Sequence, residues 1–184
     1  PSQHVARAFN SLFGAGCCQV INNGIDLATE QILSRLPDAV TENTKPRLAV
    51  VAHDLRYDGK TDQQLVRDII ARGDIEVHTF GKFSPFEGDN VVNHGFMTDK
   101  TALMSQLNQM DSLLFSSRVD NYPLILCEAL SIGLPVIATH SDAAAEVLNK
   151  VGGHTVDTDQ AAALAARGRK TLAQTLFGCP LDTF

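Results

Sequence analysis

Ser116-Ser117-Arg118-Val119-Asp120-Asn121-Tyr122-Pro123-Leu124-Ile125-Leu126-Cys127-Glu128-Ala129-Leu130-Ser131-Ile132-Gly133-Leu134-Pro135-Val136-Ile137-Ala138-Thr139 is the stretch whose reading decides the fold. It reads as a strand end, an acidic loop, an apolar helix, a Gly-Leu-Pro turn and a buried strand. Pro123 suits the first helical position, because its fixed φ fits there and its missing N–H would be unpaired in any case. The free amides of the first turn, at Leu124 and Ile125, then point out of the helix end. Such an end attracts anions, phosphate above all. Asp120 precedes the helix and Glu128 lies more than a turn inside it. A ligand resting on the helix end could be held by phosphates in its middle and by hydroxyls at both ends.

Outward from this stretch the same alternation continues. Leu48 to Ala52 reads as a buried strand. Thr61-Asp62-Gln63-Gln64 has the pattern of a capping box, with Leu65, Val66, Ile69 and Ile70 as the apolar face behind it and Gly73 as the stop. Glu76 to Phe80 and a segment beginning at Val91-Val92 read as strands, Thr98-Asp99 opens a helix carrying Leu103, Leu107 and Met110, and Ser112 to Phe115 is a strand. A helix is expected over Ala143 to Asn149, a strand over His154 to Val156 and one last helix over Ala161 to Leu176. At the other end, Ser2 caps a helix reaching Phe13, Cys18 to Ile21 is a short strand, and residues 37–46 are a loop. Strands alternating with helices imply an α/β fold, a Rossmann-like parallel sheet with helices on both faces. Ligands in such sheets bind beyond the carboxyl ends of the strands.

With 184 residues the chain is one domain with a substantial core. Its net charge of −6 argues against a nucleic-acid partner. No run approaches the ~18 consecutive apolar residues of a membrane span. Arg167, Arg169 and Lys170 read as a solvated basic helix face, with contact to anionic lipid as the minor alternative. The four cysteines, Cys17, Cys18, Cys127 and Cys179, form no Cys-x-x-Cys pair and have no histidine at zinc-ligand spacing. No metal site or cofactor is expected, and reduced thiols are the default reading.

The decisive stretch resembles the signature of the group 1 retaining glycosyltransferases of GT-B fold: a Glu, seven residues, a second Glu, then Ala and a Gly-x-Pro-Val turn. Asp120 stands where the first Glu would be, and Glu128 matches the second. Asn23-Gly24-Ile25-Asp26 and Val91-Val92-Asn93-His94-Gly95-Phe96 match further motifs of the family, and Lys60 sits where a phosphate-binding lysine is expected. The wording of Asp120 to Thr139 is close to the colanic-acid biosynthesis glycosyltransferases of enteric bacteria. The resemblance implies that this chain is the C-terminal half of a two-domain enzyme, with residues 1–17 the end of the N-terminal half and linker and residues 18–184 the nucleotide-sugar (donor) binding domain. The implied partners are a nucleotide-sugar donor and, through the other half, a lipid-linked oligosaccharide acceptor. The implied location is cytoplasmic, at the inner face of the bacterial inner membrane, with peripheral membrane contact by the full-length protein.

The resemblance also assigns roles. Glu128 would bind the ribose hydroxyls; from its residues alone, an acid in an apolar helix needs either a partner or an exposed edge. Asp120 would be the catalytic carboxylate, facing the donor sugar to stabilise positive charge at the anomeric carbon, though one methylene shorter than the family's Glu; the alternative is a helix cap. Asn121-Tyr122-Pro123-Leu124 replaces a glycine-rich turn of the family whose backbone amides hold phosphate and sugar; Pro123 removes one amide, which leaves Leu124 and Ile125 as the donors. Lys60 and Arg56 would reach the diphosphate, against plain surface charge, although the family's Lys-Gly order is here Gly59-Lys60 and Leu55 takes its arginine's place. Gly95 ends a strand where backbone groups would read the base. His53 and His94 read as packed or surface residues, and Asp142 and Glu146 as either sugar contacts or helix caps. A nicotinamide-binding domain is disfavoured, because His53-Asp54-Leu55-Arg56 stands where a Gly-x-Gly-x-x-Gly turn would be needed. A non-catalytic interaction module on a degenerate transferase half is the remaining alternative, and it predicts no nucleotide binding.

Overall fold

The computed structural model describes residues 2–16, 18–24, 31–32, 34–36, 44–139 and 141–177. Five parallel strands form one sheet: β1 (Arg47–Asp54), β2 (Glu76–Lys82), β3 (Val91–Gly95), β4 (Ser112–Phe115) and β5 (Val136–Ala138). Their order is β3-β2-β1-β4-β5. The helices are α1 (Gln3–Phe13), α2 (Gln63–Arg72), α3 (Lys100–Leu107), α4 (Leu124–Ser131), α5 (Asp142–Leu148), α6 (Thr158–Ala165) and α7 (Arg169–Phe177).

Strand periodicity sorts the core into two layers, since alternate side chains face opposite sides of a sheet. Leu48 and Val50 of β1, Leu114 of β4 and Ile137 of β5 face one way, against Leu65, Ile69, Leu164 and Leu172 of α2, α6 and α7. Ala49, Leu113, Phe115, Val136 and Ala138 face the other, against Met104, Leu107, Leu126 and Val147 of α3, α4 and α5. The chain winds from β1 through α2 to β2 on one side and reaches β4 on the other. The strand order therefore reverses between β1 and β4, and the crevice at their carboxyl ends is the expected ligand position.

Several expectations are corrected. Pro123 is the residue before α4 rather than its first helical residue, with an extended ψ of 108°. Asp62, not Thr61, caps α2, its carboxylate accepting from the Leu65 amide. The final helix is two helices, broken at Ala166 to Gly168. The break turns Arg169 inward, 2% exposed, so it is no part of a solvated basic face. Its guanidinium donates to the carbonyls of Asn108, Ile132 and Gly133, which close the turns after α3 and α4. His154 to Val156 contributes a single bridge, Val156 to Thr139, rather than a strand. Met110 lies beyond the end of α3 yet stays buried. Cys18 to Ile21 is not a strand, and Asn22 just beyond it engages Glu146 and Lys150. Ile25, Asp26, Cys17, Cys179 and residues 37–43 lie outside the described residues. Among the described residues no helix is long and apolar enough to cross a membrane.

Candidate functional site

A cavity of about 810 Å³ opens at the carboxyl ends of β1, β2 and β4. Its floor is the sheet edge itself: Val51 to Asp54 from β1, Phe80 and Gly81 from β2, and Phe115 and Ser117 at and beyond the end of β4. Gly81 is required there. A Cβ on it would lie inside the envelope of the Ala52 carbonyl oxygen. The walls come from Phe96, Met97 and Leu103 on one side and Tyr122, Pro123, Leu124 and Ile125 on the other.

The loops after β1 and β4 are laced together at the cavity mouth. The Gly59 carbonyl accepts from the amides of Arg118 (2.9 Å) and Val119 (3.2 Å), and the Ser116 hydroxyl accepts from the Asp62 amide at 2.9 Å. This lacing brings Lys60 to Asp120, Nζ to Oδ2, at 2.7 Å, and both residues line the cavity. The other oxygen of Asp120 accepts from the Asn121 amide. Asp120 is therefore not the cap of α4, which has no side-chain cap. The first-turn residues Leu124 and Ile125 line the cavity, so the positive end of α4 faces it.

Lys60, Asp120, Tyr122, Leu124 and Ile125 thus surround one cavity. Tyr122 is buried, with its hydroxyl 3.3 Å from Lys150 Nζ. Asn121 is exposed beside Asp120. Arg56 grips Asp54 with two guanidinium nitrogens, 3.1 and 2.9 Å, and lies over the Phe83 ring at 4.0 Å. That grip, first through the side-chain hydrogen bonds, holds the Asp54 carboxyl down at about 2. Gly95 closes β3 opposite Phe80, outside the cavity lining. Glu128 is one turn behind Leu124 on α4, with its Oε1 3.1 Å from Lys100 Nζ. The acid in the apolar helix has found a partner, and it lies outside the cavity lining.

Reasoning from the sequence passed over Asp54, Tyr57, Phe80 and Lys100. The first three stand at, or just beyond, the last residues of β1 and β2. The rule that ligands gather at strand ends would have selected them. His53 lines the cavity, edge-on to Phe96 with centroids 5.0 Å apart. His94 stacks on Phe80 at 4.4 Å and meets His78, Nε2 to Nδ1, at 2.9 Å; burial lowers the pKa of both imidazoles. Asp142 and Glu146 turn to α1: Asp142 meets His4 Nδ1 at 3.0 Å, and Glu146 accepts from the amides of Gln3 and His4. Neither Cys18 nor Cys127 is in a disulfide, and burial pushes the Cys127 thiol up. Among the described residues no group of three or more His, Cys, Asp or Glu side chains could hold a metal ion.

The family model described as glycosyl transferases group 1 matches residues 22–174. The putative colanic acid biosynthesis glycosyl transferase WcaC of Escherichia coli is 67% identical over 185 residues, a match that takes in all of this chain and 46% of the relative. An uncharacterized 41.2 kDa protein in the cps region of Klebsiella pneumoniae is 24% identical over 139 residues, 71% of this chain and 38% of that one. The chain thus spans less than half the length of these relatives. Among solved structures, the apo form of the lipopolysaccharide outer core galactosyltransferase WaaB superposes with a TM-score of 0.66 at 18% identity, over 95% of this chain and 52% of that chain. Anabaena Alr3699/HepE in complex with UDP and glucose superposes with a TM-score of 0.61 at 17% identity, over 96% and 57% of the two chains. These neighbours share the fold. With a family match over most of its length and a close relative covering all of it, the chain belongs to the group 1 glycosyl transferases.

Proposed function

We propose that this chain is the donor-binding half of a retaining glycosyltransferase that moves a hexose from a UDP-sugar, galactose among the candidates, to a lipid-linked exopolysaccharide such as colanic acid. Residues 18–184 form the donor domain, residues 1–17 the passage from the acceptor half, and the whole enzyme works at the cytoplasmic face of the inner membrane. This half alone does not turn over.

The observation that carries the reading is the cavity between the β1 and β4 loops, with the α4 N-terminus and the Lys60–Asp120 pair on its wall. The amides of Leu124 and Ile125 hold the diphosphate, because a helix N-terminus offers unpaired donors and a positive field. Lys60 adds a point charge as the diphosphate departs, which is electrostatic stabilisation of a developing anion. Asp120 faces the donor sugar at the anomeric centre, and the ammonium of Lys60 is shared between that carboxylate and the phosphates. Glu128 takes the ribose. The relative's role in colanic acid biosynthesis and the neighbour's UDP support the choice of pathway and carrier.

Calorimetry with UDP, GDP and ADP, on this chain and on Glu128→Ala, tests the proposal. The expected result is selective binding of UDP, weakened at least tenfold in the variant, as befits a charged hydrogen bond of about 1.5–3 kcal/mol. Binding of none of the three overturns the donor-site reading and favours a non-catalytic module.

A further inference from the structure

We propose that Lys100 is a positioning residue for the nucleotide, holding the Glu128 carboxylate turned to receive the ribose hydroxyls. The inference rests on the donor-site reading of Glu128.

Lys100 is the first residue of α3, directly after its cap Asp99. A cation there opposes the helix dipole, whose positive end is the N-terminus. Its position is compensated across the gap between helices, where Nζ lies 3.1 Å from Glu128 Oε1. The pair bridges α3 and α4 one turn away from residues of the cavity wall, outside the lining itself. Leu103, one turn along α3 from Lys100, and Leu124, one turn before Glu128 on α4, both line the cavity. Residues four apart share a helix face, so Glu128 stands behind Leu124 on the face that meets the ligand.

The Glu128 side chain is only 17% exposed. A charge-assisted contact to a side chain this enclosed fixes where its oxygens point. A carboxylate offers about four lone-pair positions. One ammonium on Oε1 leaves capacity for two hydroxyls of a vicinal diol. Lys100 therefore fixes the rotamer of Glu128 without consuming its acceptors. A lysine that merely brace the two helices would have no preference between sugars.

The test uses UDP and 2′,3′-dideoxy-UDP as probes in calorimetry on the chain and on Lys100→Met, Lys100→Arg and Glu128→Gln. The expected result is a UDP affinity about tenfold lower in Lys100→Met, the loss of one charge-assisted contact. Binding of the dideoxy nucleotide stays unchanged, and Lys100→Arg retains most of the preference for ribose. Equal weakening of both probes, or of neither, overturns the proposal. If Glu128→Gln abolishes the preference while Lys100→Met keeps it, Lys100 alone is refuted. If Glu128→Gln keeps the preference, the ribose role of Glu128 falls and the proposal with it. Lys100→Gln gives the same readout should Lys100→Met fold poorly.

Discussion

Alanine at Gly81 tests whether the cavity floor is set by backbone contact. The added Cβ would lie inside the envelope of the Ala52 carbonyl oxygen, and 3.1 Å from both the Ala52 carbonyl carbon and Leu55 Cγ. Carbon–carbon contacts are most favourable at about 3.5–4.0 Å. The two strands would have to part by roughly half an ångström at the carbons, and by more at the oxygen. No side-chain rotation relieves a backbone obstacle, and Ala52 belongs to β1, which is paired on both sides. Overpacking costs about 1–3 kcal/mol, and a backbone clash in the central strand places Gly81→Ala at the upper end, about 3 kcal/mol. Gly152→Ala is the control. Gly152 has φ 77°, and an added Cβ there meets nothing within 4 Å. It costs only the left-handed conformation, about 1 kcal/mol. Urea unfolding of both variants, with unchanged slope, measures the two numbers. In a domain of this size Gly81→Ala should also lower the melting temperature by about 6–12 °C. A cost at Gly81 no greater than at Gly152 would refute the reasoning.

Two further outcomes follow from buried and capping charges. Arg169→Met removes the donors to the Asn108, Ile132 and Gly133 carbonyls; urea unfolding should show a loss of about 3–5 kcal/mol, with no rescue by Arg169→Lys, whose single ammonium cannot span three acceptors. Burial alone would raise the Glu146 pKa, but the amides of Gln3 and His4 and the side chain of Asn22 outweigh it and hold the carboxyl below the usual glutamate value. A depressed folded pKa stabilises above the unfolded value and is lost as pH falls through the folded one. Hydrogen exchange in α1 should therefore quicken on acidification below about pH 4.5 and be fast at neutral pH in Glu146→Ala; unchanged α1 protection in that variant would remove Glu146 as its anchor.

Fold class was legible because parallel strands buried on both faces are written as short apolar runs, Leu48 to Ala52 and Ser112 to Phe115, separated by amphipathic helices. These signals are local, and so are the stop at Gly73 and the caps at Ser2 and Asp99. The approximate place of the site was legible for the same reason, since strand ends in such a sheet converge on one edge. Boundaries shifted by a residue at Pro123 and Asp62, where either neighbour could begin the helix and the loop contacts chose between them. What local pattern could not contain was partnership across the fold. Arg169 reads as one of three surface cations, and only the approach of three carbonyls from the turns after α3 and α4 makes it a buried staple at the start of the last helix. Asp120 meets Lys60, and Glu128 meets Lys100, across 60 and 28 positions of sequence. A side chain's charge is written in the chain, but its partner is decided by which loops the sheet brings together, and that is a property of the packed structure alone.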